Sequence, residues 1–563
     1  MTTAASRTRK LVYRFDEGDA SMRDLLGGKG SNLCEMVRMG LPVPPGFVIS
    51  TEACLDYFSR DHRFPDGLIE SIRENIELLE LAIGRRFGSA DNPLLVSVRS
   101  GAKVSMPGMM DTILNLGIND QIVEGLAAMM GDARPAYDAY RRFLQIYSSV
   151  VLGVDGKIFE DILTTHKEKA GVTLDHQLTP DTLQSIVADF KSAIQQATGS
   201  QVPADPWEQL VGAVEAVFRS WQTPRAIFYR NLHGISHDMG TAVNIMAMVF
   251  GNLGPTSGTG VLFTRNPGTG ERKVYGEFLA NAQGEDVVAG VRTPEPISRL
   301  ASVLPEPSTE LMALAEKLEV HYRDAQDVEF TIENNRLFIL QTRSAKRAPP
   351  AAVKMAVDMV KEGSLTRQDA LLRVDPEDVS QLLVPQFKED IESEQVRSTL
   401  IAQGSGASPG AANGKVYLDA TRAAEAASQG IEVILVRPET KPDDIHGIAA
   451  ATGVVTSRGG ATSHAAVVTR GMGKPCIVGC EALRVDLERR LLVADGRTVH
   501  EGEEISIDGA SGKVFYGKLE TVRPNLAEFA EANELLRWAD ETRSLGVWAN
   551  ADTPSDAAQA IAM

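Results

Sequence analysis

The sequence predicts a multidomain α/β protein, and three observations carry that expectation. Its 563 residues exceed what one hydrophobic core organises, at about 100–200 residues per domain. Period-two apolar runs and helical spacing both recur along the chain. The composition is ordinary for globular proteins: 43% hydrophobic, 23% charged, 49 Gly and 27 Pro, with no internal repeat. That excludes a collagen-like chain, a coiled coil and wholesale disorder.

Residues 1–110 read as short strands and helices around two glycine-rich turns. Residues 111–220 read mostly as helix, from the apolar spacing of IVEGLAAMM and YDAYRRFLQIYSSVVLG. From 225 to 345 the pattern is strand-rich: TAVNIMAMVFGN, GVLFTRNP, VYGEFLANA and VEFTIENNRLFILQTR. A Pro-Pro step then opens a charged helical stretch, 346–395, that suits a linker. A unit rich in Gly and small residues opens at GASPGAANGKVYL and closes near GKVFYGKL, and 520–543 read as another helix. LGVWANADTPSDAAQAIAM reads as a strand, a turn and the start of a helix. Such a fragment cannot bury an apolar face alone, so a further domain is expected there.

The net charge of −18, from 57 basic and 75 acidic residues, argues against nucleic acid or anionic lipid as partners. No apolar run reaches the length of a membrane span, and MTTAASRTRK has no signal-type apolar region, so a cytoplasmic protein is expected. Four cysteines make no disulfide framework, and Cys476 and Cys480 read as buried thiols. His233 and His237 fall in the Gly-broken segment NLHGISHDMG and read as structural.

Three kinds of chemistry stand out. The run from Asp327 to Arg343 alternates as a strand, turns at Asn334-Asn335 and returns with Ile339, Gln341 and Arg343 on one face. This hairpin places Asp327 and Glu329 as hard oxygen ligands for Mg²⁺, and Gln341 and Arg343 as groups for polyphosphate. Taken alone, such a hairpin reads first as an exposed strand face with solvated charges. Three glycine-rich segments offer backbone amides to anions: Gly27–Ser31 with Lys29 ahead of a helix Asn32–Met39, Ser257–Gly260 with Thr259, and a strand delivering Arg99 to a turn. The first is no Walker A loop, since its spacing fails. Met106–Met110 reads as a lid. Finally, GVVTSRGGATSHAAVVTRG reads as strand, turn and helix, with Thr462 or Ser463 as N-cap and His464 in the first turn. There the helix dipole disfavours imidazolium, leaving a ring nitrogen able to attack phosphorus, and the amides with Arg458 favour the phosphoryl group once attached.

On these residues the chain resembles the pyruvate, phosphate dikinase family. GGKGSNLCEM, SVRSGAKVSMPGMMDTILNLG, SGTGVLFTRNPGTG, GEFLANAQGEDVVAG, QDVEFTIE and ILQTR resemble its ATP-grasp signatures, and GGATSHAAVVTRGMGKPC its phosphohistidine motif. Ser463 before the histidine and Ala465-Ala466 after it set the chain apart from pyruvate, water dikinase and from enzyme I of the sugar phosphotransferase system. The resemblance implies an ATP-grasp nucleotide-binding domain at 1–345, with a helical subdomain at about 111–220. A helical linker at 346–400, a swivelling β/β/α phosphohistidine domain at 401–519 and a linker helix at 520–545 follow, and then the start of a (β/α)8 pyruvate/phosphoenolpyruvate domain at 546–563.

It implies His464 as the catalytic phosphocarrier and Lys29, Arg99, Thr259, Asp327, Glu329, Gln341 and Arg343 as the Mg-ATP site, with Asp327 and Glu329 on the metal. Thr462 matches a position that a regulatory kinase phosphorylates, opposed by a phosphatase. ATP, phosphate, pyrophosphate and AMP are the implied small-molecule partners, and a monovalent cation has a place in the scheme. Members form homodimers mainly through the barrel. The expectation is therefore an enzyme that performs the ATP/phosphate half-reaction, without the step between pyruvate and phosphoenolpyruvate. The alternatives are a pyruvate, water dikinase-like enzyme and a phosphocarrier serving a separate partner.

Overall fold

The computed structural model describes residues 9–546 except 107, 289–293, 383–384, 389–390, 392 and 523–528, and a scatter of positions beyond 546. The expected barrel start therefore lies largely outside the described residues. Two five-stranded antiparallel sheets build the N-terminal half. The first runs Val12–Arg14, Gly46–Ile49, Ala242–Ala247, Val96–Gly101, Thr112–Leu116 in spatial order. The second runs Glu295–Pro296, Tyr275–Ala280, Gly258–Phe263, Gln326–Glu333, Arg336–Ser344.

Five helices between Ile122 and Ser220 pack against the first sheet in one core that includes Phe143, Phe159, Phe190 and Val217. Their caps are legible in the chain: Asp132, Asp155, Thr179 and Asp205 each accept a hydrogen bond from a first-turn amide. The second sheet buries Val328, Phe330 and Ile332 against Arg23–Arg38 and Pro305–Tyr322. That last helix, 18 residues long, lies in the stretch that reads as strand-rich. Its Pro sits in the first turn, where no amide is lost to the helix ladder.

The C-terminal half is an eight-stranded sheet. Its middle strands Ala411–Tyr417, Val433–Arg437, Gly453–Thr456 and Cys476–Val478 run parallel and its flanks antiparallel. Gly453–Thr456 and Cys476–Val478 are buried throughout, as parallel strands covered by helices are. The loops after Arg437 and after Thr456 leave the carboxyl ends of adjacent parallel strands, the edge at which open α/β sheets carry their chemistry.

The linkers differ from expectation. Helices Pro349–Lys361, Arg367–Arg373, Pro376–Gln381 and Ala530–Thr542 pack around Val357, Leu535 and Trp538. Helix stops ahead of Pro385, whose carbonyl accepts from Ala411 N–H at 2.8 Å, and Gln386–Phe387 pairs as a strand with Thr521–Val522. The helix read over 520–543 begins only at Ala530. The linker is rooted in the N-terminal half: Arg265 forks to Glu319 at 2.8 Å and Glu362 at 2.6 Å. Asp324 pairs with Arg347 at 2.7 Å and Arg373 at 3.1 Å. All four cysteines are free and buried, and no helix among the described residues is long and apolar enough to cross a membrane.

Candidate active site

Two glycine segments cross at the floor of the site. Helix Arg23–Arg38 breaks at Gly27, with φ +68°, and resumes so that Lys29 stands in its first turn rather than in a loop ahead of Asn32. Gly28 N–H donates to Ala102 O at 2.8 Å, and a Cβ on Gly27 would stand 1.8 Å from Gly101 O. Asn244 fills the space that Gly30 and Gly101 leave: a Cβ on either would come within 2.9 Å or 2.6 Å of its amide. This stitching fixes Lys29 beside Arg99 on strand Val96–Gly101. Burial, together with the Arg99 charge, pushes the Lys29 ammonium well below its usual range.

The hairpin stands over that floor in the expected register, Asp327 opposite Arg343 and Glu329 opposite Gln341. Asn334 and Asn335 take the positive φ of the turn, 50° and 62°. A bulge between Glu329 and Phe330 changes one detail. Ile339 pairs with Phe330 in the core, while Gln341 keeps to the cleft, so the two do not share a face. Nor are the charges solvated. Arg343 Nε donates to Asp327 Oδ2 at 2.6 Å, and Arg99 Nη2 donates to Glu329 Oε2 at 3.0 Å and Gln341 Oε1 at 3.3 Å. Burial raises the Asp327 carboxyl against the pull of Arg343. Burial also works on Glu329, but Arg99, Arg343 and Lys29 outweigh it and hold it below the usual range. Asp327 Oδ1 is buried without a partner among the described residues.

Thr259 lies inside strand Gly258–Phe263, not in a loop, and its hydroxyl donates to Phe330 O at 3.0 Å. Gly258 and Gly260 allow that close pairing: a Cβ on Gly260 would stand 2.5 Å from Glu277 O.

Helix His464–Gly471 starts on the histidine itself, with Ser463 as N-cap. Its Nδ1 lies 3.1 Å from Thr440 Oγ1, in the loop after the neighbouring parallel strand, and its Nε2 is buried without a partner among the described residues. Burial pushes the imidazole down to about 4, with Asp444 pulling the other way. Gly108 lies close by: a Cβ on it, at φ +72°, would stand 3.2 Å from His464 Cδ2 and 3.0 Å from Pro442.

The hairpin, the glycine segments and the histidine loop open onto one cavity of about 930 Å³. Lys29, Arg99, Thr259, Asp327, Glu329, Gln341 and Arg343 line it from the N-terminal half, and Thr440, Arg458, Thr462 and His464 from the C-terminal half. Arg142, held by Asp138 and by Asp286 at 2.7 Å, lines it from the helical layer.

The two halves meet around the histidine. Glu277 accepts from Ala461 N–H at 3.2 Å and Thr462 Oγ1 at 3.3 Å. Burial raises its carboxyl. Arg225 binds Asp111 and lies 3.7 Å from Asp443, and Met106, Met109 and Tyr229 share a buried cluster with Val454, Ala465 and Cys476.

The family described as pyruvate phosphate dikinase, AMP/ATP-binding domain, matches residues 23–63, 60–305 and 298–364, more than half the chain. The chain belongs to the pyruvate phosphate dikinase family. Residues 431–512 match the mobile domain of the PEP-utilising enzymes, so the fold is an ATP-grasp domain joined by helical linkers to a phosphohistidine domain. The chain is 51% identical over 553 residues to the pyruvate, phosphate dikinase of Clostridium symbiosum, covering 98% of this chain and 63% of that one. It is 50% identical to those of Rhizobium meliloti (97% and 62%) and, chloroplastic, of Arabidopsis thaliana (98% and 57%). It thus spans about three-fifths of the length of these dikinases.

Within this dikinase framework, Thr440, Glu277, Asn244 and Arg142 are site groups that sequence reasoning passes over. Arg142 sits in an unremarkable Arg-Arg helical step, Asn244 and Glu277 lie in runs whose pattern gives a strand but no role for them, and Thr440 carries no pattern. His237 spends its ring on Arg230 and Asn231, 2.9 and 3.0 Å away.

Proposed function

We propose that this chain catalyses the nucleotide half of dikinase chemistry, moving a phosphoryl group from ATP to His464 with release of AMP and pyrophosphate. One observation carries the reading: a desolvated His464 Nε2, without a partner among the described residues, shares a cavity with a cationic and carboxylate constellation suited to a polyphosphate.

With its proton on Nδ1 accepted by Thr440 Oγ1, the neutral ring turns the Nε2 lone pair to the cavity. Nε2 attacks the β-phosphorus of ATP, the bond to the α-phosphate oxygen breaks, and AMP leaves a pyrophosphoryl-histidine. An oxygen of inorganic phosphate then attacks the outer phosphorus, pyrophosphate departs, and phosphohistidine remains. Lys29, Arg99 and Arg343 oppose the charge spread over the transferring group, where positioning and electrostatics supply most of the acceleration. The carboxylates fit a hard divalent ion, since Asp327 has a buried oxygen without a donor and Glu329 stands two residues on. When bound there, Mg²⁺ would neutralise phosphate charge.

Conversion between pyruvate and phosphoenolpyruvate is assigned to the further domain of the full-length relatives. Four buried free thiols suit a cytoplasmic site of action. Thr462 is the proposed regulatory position: a phosphate on its hydroxyl would confront the Glu277 carboxylate and oppose docking.

The test is incubation with β-³²P-ATP, phosphate and Mg²⁺. Label should reach the wild-type chain at His464 and be absent from His464→Asn. Failure of the wild type to take label defeats the reading, and labelling with release of inorganic phosphate from ATP in the absence of added phosphate points to pyruvate, water dikinase-like chemistry instead, with water taking the outer phosphoryl group.

A further inference from the structure

The histidine helix carries a second, unexplained group at its far end. Arg470 is 2% exposed. Its Nε and Nη2 donate to Ala407 O at 3.1 and 2.9 Å, and Nη2 also donates to Ala461 O at 3.1 Å. Ala461 stands in the loop ahead of His464, and Ala407 on the edge strand Ser405–Ser408. One guanidinium therefore ties presenting loop, helix and sheet edge together. Its remaining nitrogen, Nη1, is buried with no hydrogen-bond partner among the described residues.

Two carbonyls need only neutral donors, and a buried guanidinium without a hydrogen-bonded carboxylate is costly. Its charge has a counterpart across the interface. The guanidinium carbon lies 5.9 Å from the centre of the Phe263 ring on the nucleotide-side sheet. Phe263 is the cross-strand neighbour of Asp327, whose Oδ1 is also buried without a partner among the described residues. Burial pushes the guanidinium down, and the charges that pull it back belong to Tyr275, Cys476, Asp327 and Glu277, three of them on that sheet. The nucleotide-side wall is thus rich in buried carboxylate where the histidine domain presents a buried cation.

We propose that Arg470 is a positioning residue that keys the docking of the histidine domain onto the nucleotide sheet. It braces the loop presenting His464 and sets a second cation, beside the Arg343 already on Asp327, against the Asp327–Glu277 wall. The kinetic arm of its test rests on the phosphotransfer reading, and the scattering arm does not.

Arg470→Met and Arg470→Lys are compared with wild type in the 563-residue chain. Solution X-ray scattering reads compaction, equilibrium dialysis reads ATP affinity, and β-³²P transfer reads the reaction. Arg470→Met should show a larger radius of gyration, bind ATP within about twofold of wild type and label His464 at least about tenfold more slowly. Arg470→Lys, which keeps charge without the fork, should recover part of the compaction and label at an intermediate rate.

Wild-type scattering from Arg470→Met overturns the proposal, as does a fall in ATP affinity that matches the fall in labelling. If circular dichroism shows Arg470→Met unfolded, Arg470→Lys decides: partial expansion supports the role and unchanged scattering overturns it. If wild type takes no label yet scattering separates the variants, the docking role stands and the phosphotransfer reading falls.

Discussion

Thr440 holds one nitrogen of the His464 ring and leaves the other to the cavity, so under the proposed transfer it sets which atom attacks. Thr440→Val should leave ATP affinity unchanged and slow histidine labelling about fivefold, the effect of losing one orienting hydrogen bond of about 1 kcal/mol. Single-turnover labelling beside equilibrium dialysis checks it. Neither Thr440 nor Glu277 was legible in the chain. Each acts on a residue 24 or more positions away, through tertiary contact that leaves no period. Asp327, Glu329, Gln341 and Arg343 were legible because a hairpin is local: alternation and an Asn-Asn turn fix its register. The bulge that sends Ile339 into the core was not, because one extra residue on a buried strand alters packing without altering pattern.

At the scale of elements, two glycines make opposite predictions. Gly27 sits at positive φ with Gly101 O where a Cβ would go. Gly27→Ala must therefore shift the crossing of the Lys29 and Arg99 segments. It should lower stability by about 1–3 kcal/mol, read by urea unfolding, and weaken ATP binding. Gly460 clashes only across the interface: its Cβ would stand 2.3 Å from Glu277 Oε2. Gly460→Ala should keep ATP affinity and thermal stability while suppressing labelling of His464, and a fall in affinity would contradict that division. The same scale shows why elements were misread. Ser257–Gly260 has loop composition, yet its glycines serve strand pairing too close for side chains, and Gly27 interrupts a helix that composition alone starts at Asn32.

Across the whole molecule, the docked arrangement depends on a neutral His464. Its proton affinity is depressed to about 4 when docked, against about 6.5 for an unhindered imidazole. Undocked or unfolded states therefore bind more protons between those values, so docking is fully favoured above about pH 6.5 and weakens as pH falls toward 4. A rising radius of gyration through that window, absent in His464→Asn, is the expected result. The linker root offers a second test. Arg265→Met removes the buried guanidinium that Glu319 and Glu362 share and should cost about 2–3 kcal/mol, seen as a lowered melting temperature.

Under the proposed phosphotransfer, the cavity takes one wall from the very domain that would leave with the phosphate. Departure of the loaded ring and unsealing of the chamber are consequently a single event. Cargo cannot be exported while spent nucleotide stays locked in, and bulk water meets the vacated cleft only after the phosphoryl group has gone elsewhere.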